Sequence, residues 1–310
     1  MKLKTIVMFA AISSLLILGC NQENSETPRG AVMHIEVPTQ ESQTIQMESI
    51  GNARELGGYK TKDGRYIKHG LLLRTAKPVT ASEKDIERLQ NKYHLATIID
   101  LRMSAERDKE PNPAIAGVED IWCPIIDENK IRANVNGEQA AALQNAKTTF
   151  EKLKIAIKHR IVSDKMYIGF LSDDQGKKGF RLFFQKLLEL PNGRSLLFHC
   201  TQGKDRTGLA AMLLLSILDI PEETIMQDYL LTNTFNAPLI EKERQMLSQQ
   251  NLSEEEILTY LSVMDFVNAQ YMQNALDFLK KEYGSPSQYV TQELGISEQE
   301  IAQLKAKFLE

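Results

Sequence analysis

The run Phe198-His199-Cys200-Thr201-Gln202-Gly203-Lys204-Asp205-Arg206-Thr207-Gly208 restricts the possible fold more than any other part of the chain. It joins an apolar segment of strand length, Ser195-Leu196-Leu197-Phe198, to Thr207–Leu218, which favours helix and is apolar on nearly every side. Pro191-Asn192-Gly193 supplies turn chemistry before the strand, and Pro221 stops the helix. A helix apolar all round is a buried one. A strand running into such a helix belongs to a helix-covered sheet with parallel pairing, and the joint falls where ligands of such sheets bind. The earlier sequence agrees. Leu71-Leu72-Leu73-Arg74 and Ala96-Thr97-Ile98-Ile99 read as short strands, Ser82–Tyr93 as an amphipathic helix between them, and Lys62-Asp63-Gly64-Arg65 as a hairpin turn. The expected class is therefore α/β: a central, mostly parallel twisted sheet flanked by helices. A helical insertion and a helical C-terminal region from Pro221 onward complete it.

Cys200 and Arg206 have five residues between them, whereas Cys20 and Cys123 are followed at that distance by Glu26 and Asn129. The spacing lets one backbone loop curl around a phosphate, with the thiol beneath phosphorus and the guanidinium forked onto two oxygens. The helix N-terminus suits a dianion, and the same field beside Arg206 favours the thiolate of Cys200. Thr201, Gln202, Gly203, Lys204 and Thr207 complete the cradle. Gly203 lets the backbone approach the anion, and Gly208 allows tight packing at the helix start. Thr207 is placed to donate its hydroxyl to the departing sulfur, Lys204 to add positive charge at the rim, and His199 to orient the loop through its backbone. A lone buried cysteine is ordinarily a small hydrophobe; the agreement of strand, loop, arginine and helix separates Cys200 from that reading. The chemistry indicated is phosphate ester hydrolysis with Cys200 as nucleophile.

The segment HCTQGKDRTG resembles the signature of the cysteine-based tyrosine phosphatase superfamily, and more closely that of its bacterial tyrosine-phosphatase-like branch, HCxxGKDRTG. Asn52-Ala53-Arg54-Glu55-Leu56-Gly57-Gly58-Tyr59 is similar to that branch's N-x-R-D/E-L-G-G-Y element, with Ala53 where the family often has an aromatic residue. Ile98-Ile99-Asp100-Leu101-Arg102 resembles its "IDLR" strand end, and the tail from Tyr283 through Tyr289 to Ser297 is also similar. The resemblance runs from about Gly51 to the C-terminus. It implies a tyrosine-phosphatase-like fold, no cofactor, and hydrolysis of phosphotyrosine, with phosphoserine or phosphothreonine as further substrates. The branch overlaps in activity with phosphoinositide phosphatases, which keeps phosphoinositides and small polyol phosphates open as alternatives.

An alkoxide or phenoxide leaving group needs a proton donor, usually an aspartate. The single tryptophan stands in Trp122-Cys123-Pro124, with no aspartate directly after the proline. The resemblance points instead to the aspartate just before the loop arginine, Asp205, as in myotubularin-like lipid phosphatases. Asp100, Asp127 and Asp173 are the alternatives. Asp100 has a second reading, as the holder of Arg102 or of the loop. Asp173-Asp174 beside Gly176 also reads as a solvated turn. Arg102 and Arg54 are candidates for added local attraction of phosphate.

Met1-Lys2-Leu3-Lys4 opens the chain, followed by an apolar stretch from Thr5 to Leu18, too short to span a bilayer and suited to a signal peptide. Ile17-Leu18-Gly19-Cys20 resembles a bacterial lipobox in which Cys20 carries lipid. The expected organisation is a signal peptide over 1–19, a polar tether over 20–46 and a catalytic domain over 47–310, in which 130–175 is either a helical cap over the site or helix packed on the sheet. Phe150, Leu153, Ile157 and Ile161 form the apolar stripe of that insertion. The protein is then exported and lipid-anchored to a bacterial membrane, on its periplasmic or cell-surface side. The net charge of −4 becomes −6 once 1–19 are removed, with 35 basic against 41 acidic residues. That balance argues against nucleic acid as a partner and leaves Cys20 as the only membrane contact.

Cys123 reads as a core cysteine, with trapping of an oxidised Cys200 as the sharper alternative. Met264, Phe266, Tyr271, Met272, Leu276 and Leu279 read as core packing. Phe198 stands where a nucleotide-binding loop would need its first glycine, and Asp100-Leu101-Arg102 lacks a second aspartate. No HExxH or histidine cluster suggests a metal, so hydrolysis is expected to resist EDTA. A phosphate-binding module without activity is disfavoured by the intact Cys200, Asp205 and Arg206. A sulfurtransferase loop is disfavoured by Arg206-Thr207-Gly208. The expected partner is a phosphorylated protein or a small phosphoester.

Overall fold

The computed structural model describes residues 39–130, 137–159 and 163–310. The expected signal peptide, Cys20 and most of the tether lie outside the described residues, as does Ile161. Five strands form one sheet: β1 (Arg54–Glu55), β2 (Leu72–Thr75), β3 (Leu95–Asp100), β4 (Glu119–Trp122) and β5 (Ser195–His199). Their order is β1-β2-β5-β3-β4. The short edge strand β1 is antiparallel to β2, and every other pairing is parallel. The catalytic-loop strand is thus central, flanked by both strands expected from sequence, while β1 and β4 are additions. The expected turn forms with Gly64 at its tip and Lys60 bridged to Tyr66.

Side chains alternate along the central strands, so the sheet has two apolar faces. Leu72, Ile99, Leu196 and Phe198 join the larger core, built around the helix Asp205–Ile217. Leu73, Ile98 and Leu197 face the other way and pack with Ile45, Ile50, Leu89 and Tyr93. Within Asp205–Ile217 every residue except Ser216 is buried, as an all-round apolar helix requires. Each fully buried leucine there contributes about 1.5–3 kcal/mol of transfer free energy. The expected helix over Ser82–Tyr93 is present, capped by Ser82, but its second half, Arg88–Lys92, widens into a π-turn.

The described part of the insertion forms three helices, Gly137–Asn145, Thr149–Lys158 and Met166–Ser172. The third packs into the larger core through Tyr167 and Leu171, and its Tyr167 hydroxyl donates to Asp205 where the phosphate loop enters its helix. Leu143, Phe150, Leu153 and Ala156 close a separate apolar cluster with Ile240, Leu247, Ile257, Tyr260 and Leu261. The latter belong to a hairpin of two helices, Ala237–Ser248 and Glu254–Met264. Within the helical C-terminal region expected from sequence, the exit of this hairpin is what reaches the loop. Of the methionine and aromatic stripe, Tyr271, Met272, Leu276 and Leu279 are core, whereas Met264 belongs to the second cluster and Phe266 is exposed. Described structure also extends before residue 47. Thr39–Thr44 makes a capped helical turn, Thr44 bridges to Arg54, and Ile45 is buried.

Candidate active site

The loop Cys200–Lys204 leaves the C-terminal end of β5 and enters the helix Asp205–Ile217. Its shape is imposed from outside, through its carbonyls. The backbone N–H of Lys77 donates to the carbonyl of Thr201 at 3.0 Å. The Asn52 side-chain amide donates to the carbonyls of Gln202 and Gly203, both at 2.9 Å. Arg74 donates to Gly203 at 3.0 Å. In a planar trans peptide the N–H of the next residue points opposite to the carbonyl. Tying these carbonyls outward therefore turns the N–H groups of Gln202, Gly203 and Lys204 toward the loop's centre, as an anion cradle needs. Gly203 holds φ at +68°, and a Cβ there would lie 2.3 Å from the Thr75 carbonyl oxygen, so no other residue fits without moving β2. Gly208 packs on Tyr229, where a Cβ would approach the ring to 3.0 Å.

Beneath the loop lies a buried charge network. Asp228 accepts from Arg54 Nε at 3.2 Å, from the Tyr59 hydroxyl at 2.9 Å and from Arg74 Nη1. Burial opposes ionisation of Asp228, but Arg74 and Arg54 hold its carboxyl below the usual range. Arg54 is fully buried and spent on Asp228, Asn52 and Thr232, so it supports the loop and does not attract substrate. Arg102 is likewise unavailable to phosphate. It forks onto Asp100 at 2.9 and 2.7 Å and reaches the Glu110 carbonyl and Asn112. Burial works against the Asp100 anion, yet His199 and Arg102 keep its carboxyl below the ordinary range, so it is a poor proton donor. His199 pairs through Nδ1 with the Cys200 carbonyl oxygen at 3.0 Å, which matches its expected orienting part.

Arg206 is gripped by a partner absent from the sequence reading. Glu106, on the helix Ser104–Lys109, accepts from both terminal nitrogens of Arg206, at 2.6 and 2.9 Å. The Thr201 hydroxyl also donates to Glu106. Burial penalises Glu106, but Arg206 outweighs it and holds the carboxyl below its usual range. This fork fixes the guanidinium plane while Arg206 Nε has no protein partner. The Thr207 hydroxyl is buried and also without a protein partner. Lys204 does not stand at an open rim. Its ammonium donates to the carbonyls of Val263, Met264 and Phe266 at 3.3, 2.8 and 3.2 Å, which joins the loop to the hairpin's exit. Gln202 makes the second link, donating at 2.9 Å to Asp265, whose carboxyl burial pushes up to about 6.

Asp205 begins the helix and is almost wholly buried. Burial raises its carboxyl above the ordinary range; Lys204, the Tyr167 hydroxyl and Arg206 oppose this without cancelling it. Cys200, which follows β5, is itself only 2% exposed. The other aspartates are occupied elsewhere. Asp127 accepts from the backbone amides of Asn129 and Lys130. Asp173 caps the helix Asp174–Glu189 and pairs with Lys130. Cys123 donates its thiol to the Gly179 carbonyl at 2.8 Å, and burial pushes its pKa up to about 12, which suits a core residue and not a reactive thiol.

The fold and this anion cradle fit a phosphatase. A family model described as the tyrosine phosphatase family matches residues 45–310, and the chain belongs to that family. It is 28% identical over 267 residues to a Cupriavidus necator protein named provisionally as a tyrosine-protein phosphatase, covering 86% of this chain and 88% of that one. A Nostoc commune tyrosine-protein phosphatase is 31% identical over 147 residues, 46% of this chain and 47% of its own. A Mycobacterium tuberculosis protein named as a triple specificity protein phosphatase is 29% identical over 127 residues, 39% of this chain and 46% of its own. The protein is a phosphoric monoester hydrolase of tyrosine-phosphatase type.

Proposed function

We propose that the chain hydrolyses phosphotyrosine, and more broadly protein phosphoesters, through a cysteinyl-phosphate intermediate on Cys200. The supporting observation is the union, in one short segment, of Cys200, a clamped Arg206 and an aspartate whose carboxyl burial raises above its ordinary range. In the first step the Cys200 sulfur attacks phosphorus. The P–O ester bond breaks, and the departing oxygen takes the proton of Asp205. Arg206 and the inward amides hold the equatorial oxygens throughout. In the second step water attacks phosphorus, gives its proton to the Asp205 carboxylate and releases the Cys200 thiolate, toward which Thr207 donates. Nucleophile, acid and anion donors are all protein groups, so the scheme calls for no metal.

A second reading, small polyol phosphates or phosphoinositides, is favoured by Gln202 Oε1 and Asp265 Oδ2. These are buried acceptors beside the loop with no protein partner, suited to substrate hydroxyls. The breadth in the Mycobacterium relative's name is compatible with both readings.

Rapid-quench mixing with ³²P-labelled phosphotyrosine peptide tests the mechanism. Wild type should give a thiol-linked phosphoprotein, and Cys200→Ser should give none while still binding vanadate. Turnover by Cys200→Ser would discard the covalent scheme. The same assay on phosphoserine peptides and inositol phosphates ranks the substrate classes. From the sequence alone we further propose export and lipid attachment at Cys20.

A further inference from the structure

Three tyrosines surround Asp205, and none belongs to the contiguous loop. Tyr167 lies on the helix Met166–Ser172, Tyr229 on Glu222–Phe235 and Tyr271 on Ala269–Tyr283, all buried. Tyr167 donates its hydroxyl proton to Asp205 Oδ1 at 2.7 Å. A phenol has one proton to give. With that proton spent on Asp205, the 2.9 Å contact between the Tyr167 and Tyr229 hydroxyls must run the other way, with Tyr229 donating. The result is a directed chain from Tyr229 through Tyr167 to Asp205. Ring packing fixes its geometry: the Tyr167 ring meets Tyr229 edge-on at 6.1 Å and Tyr271 at 5.7 Å.

We propose that Tyr167, backed by Tyr229, is a positioning residue for the acid: it fills Oδ1 as a hydrogen-bond acceptor, so the proton bound for the leaving group sits on Oδ2. This rests on the reading of Asp205 as the general acid. A carboxyl whose Oδ1 accepts a hydrogen bond is disfavoured from carrying its proton there. After proton transfer the same phenol stabilises the carboxylate, which must next act as base toward water. The groups facing Asp205 are Lys204 and Arg206 on its own segment and Tyr167, Tyr229 and Tyr271 from the packed helices. Donation by Tyr167 favours the charged form of Asp205, against burial. Removing it should therefore move the acid's titration to higher pH.

The test follows the burst of phenol release in the first turnover, over a pH series, with aryl phosphates ranging from acidic nitrophenols to phenol. Asp205→Asn should depend steeply on leaving group and lose the basic limb; a shallow dependence would refute Asp205 as the acid, independently of Tyr167. Given a steep Asp205→Asn, Tyr167→Phe should lose on the order of ten-fold with phenyl phosphate and about two-fold or less with nitrophenyl phosphate. Its basic limb should rise by about half a unit to one unit. An unchanged profile, or an equal loss on all leaving groups with an unmoved limb, overturns the proposal. Tyr229→Phe, which keeps the Tyr167 bond but weakens its donor, should shift the limb the same way by less. If Tyr167→Phe does not fold, that variant alone decides, and an unmoved limb there overturns the proposal.

Discussion

Replacing Glu106 by alanine isolates the clamp on Arg206. The pair is buried on both sides, with 2% and 4% side-chain exposure, and Glu106 accepts from both terminal guanidinium nitrogens and from Thr201. Removing one partner of such a pair leaves a buried charge uncompensated and costs about 3–5 kcal/mol. Glu106→Gln keeps the volume and one acceptor, so it should lose the smaller cost of a charge-assisted bond, about 1.5–3 kcal/mol. The pH dependence follows from Glu106 being held below its usual range by Arg206. A carboxylate depressed in the folded state contributes stability that is full above its unfolded value of about 4.3. That contribution is lost as pH falls through the lower folded value. The gap between wild type and Glu106→Gln should therefore be widest near neutrality and close below about pH 4. Urea titrations at a series of pH values, read by circular dichroism, measure it. With the fork gone, the guanidinium loses its fixed plane, and kcat/KM should fall by about 10²–10³. A Glu106→Ala protein within about 0.5 kcal/mol of wild type at pH 7, or a Glu106→Gln gap that ignores pH, would refute the clamp argument.

Two further outcomes follow. Burial raises Asp265 to about 6, so its contribution to stability is full below its unfolded value of about 3.9 and lost as pH rises through 6. Asp265→Asn should accordingly stabilise the protein by roughly 1–3 kcal/mol at pH 8 and by nothing at pH 4, measured by the same titrations; a pH-independent effect would contradict the assignment. Cys20→Ala should abolish incorporation of labelled palmitate in the bacterial host, and persistent labelling would place the lipid elsewhere.

The loop and its flanking strand and helix were legible because each part reinforces the others within one short segment. The parallel sheet followed from the spacing of apolar runs. The supports of the loop were less visible because they come from far away in sequence. Glu106 sits in an unremarkable charged stretch, Ser104-Ala105-Glu106-Arg107-Asp108, and only the need of a buried guanidinium for a carboxylate marks it. Arg74 did carry a signal, a cation at the end of the apolar run Leu71-Leu72-Leu73, but its partner Asp228 lies on a helix with no distinctive pattern. Motif and charge single out Arg54, Arg102 and Lys204 as candidates to attract phosphate. Charge alone cannot show which way a side chain points, and all three turned out to serve the scaffold. The strand β4 was missed because Glu119-Asp120-Ile121-Trp122 lacks an apolar run and lies on the exposed sheet edge.

The insertion helices bury Leu143, Phe150 and Leu153 against Ile240, Ile257 and Leu261, partners made about a hundred residues later. At a synthesis rate of about 5–20 residues per second, that interval lasts roughly 5–20 s. For that time a greasy helical face has emerged with nothing to sit on. Apolar surface left open while the chain is still being made is a route to aggregation, and the late hairpin is what closes it.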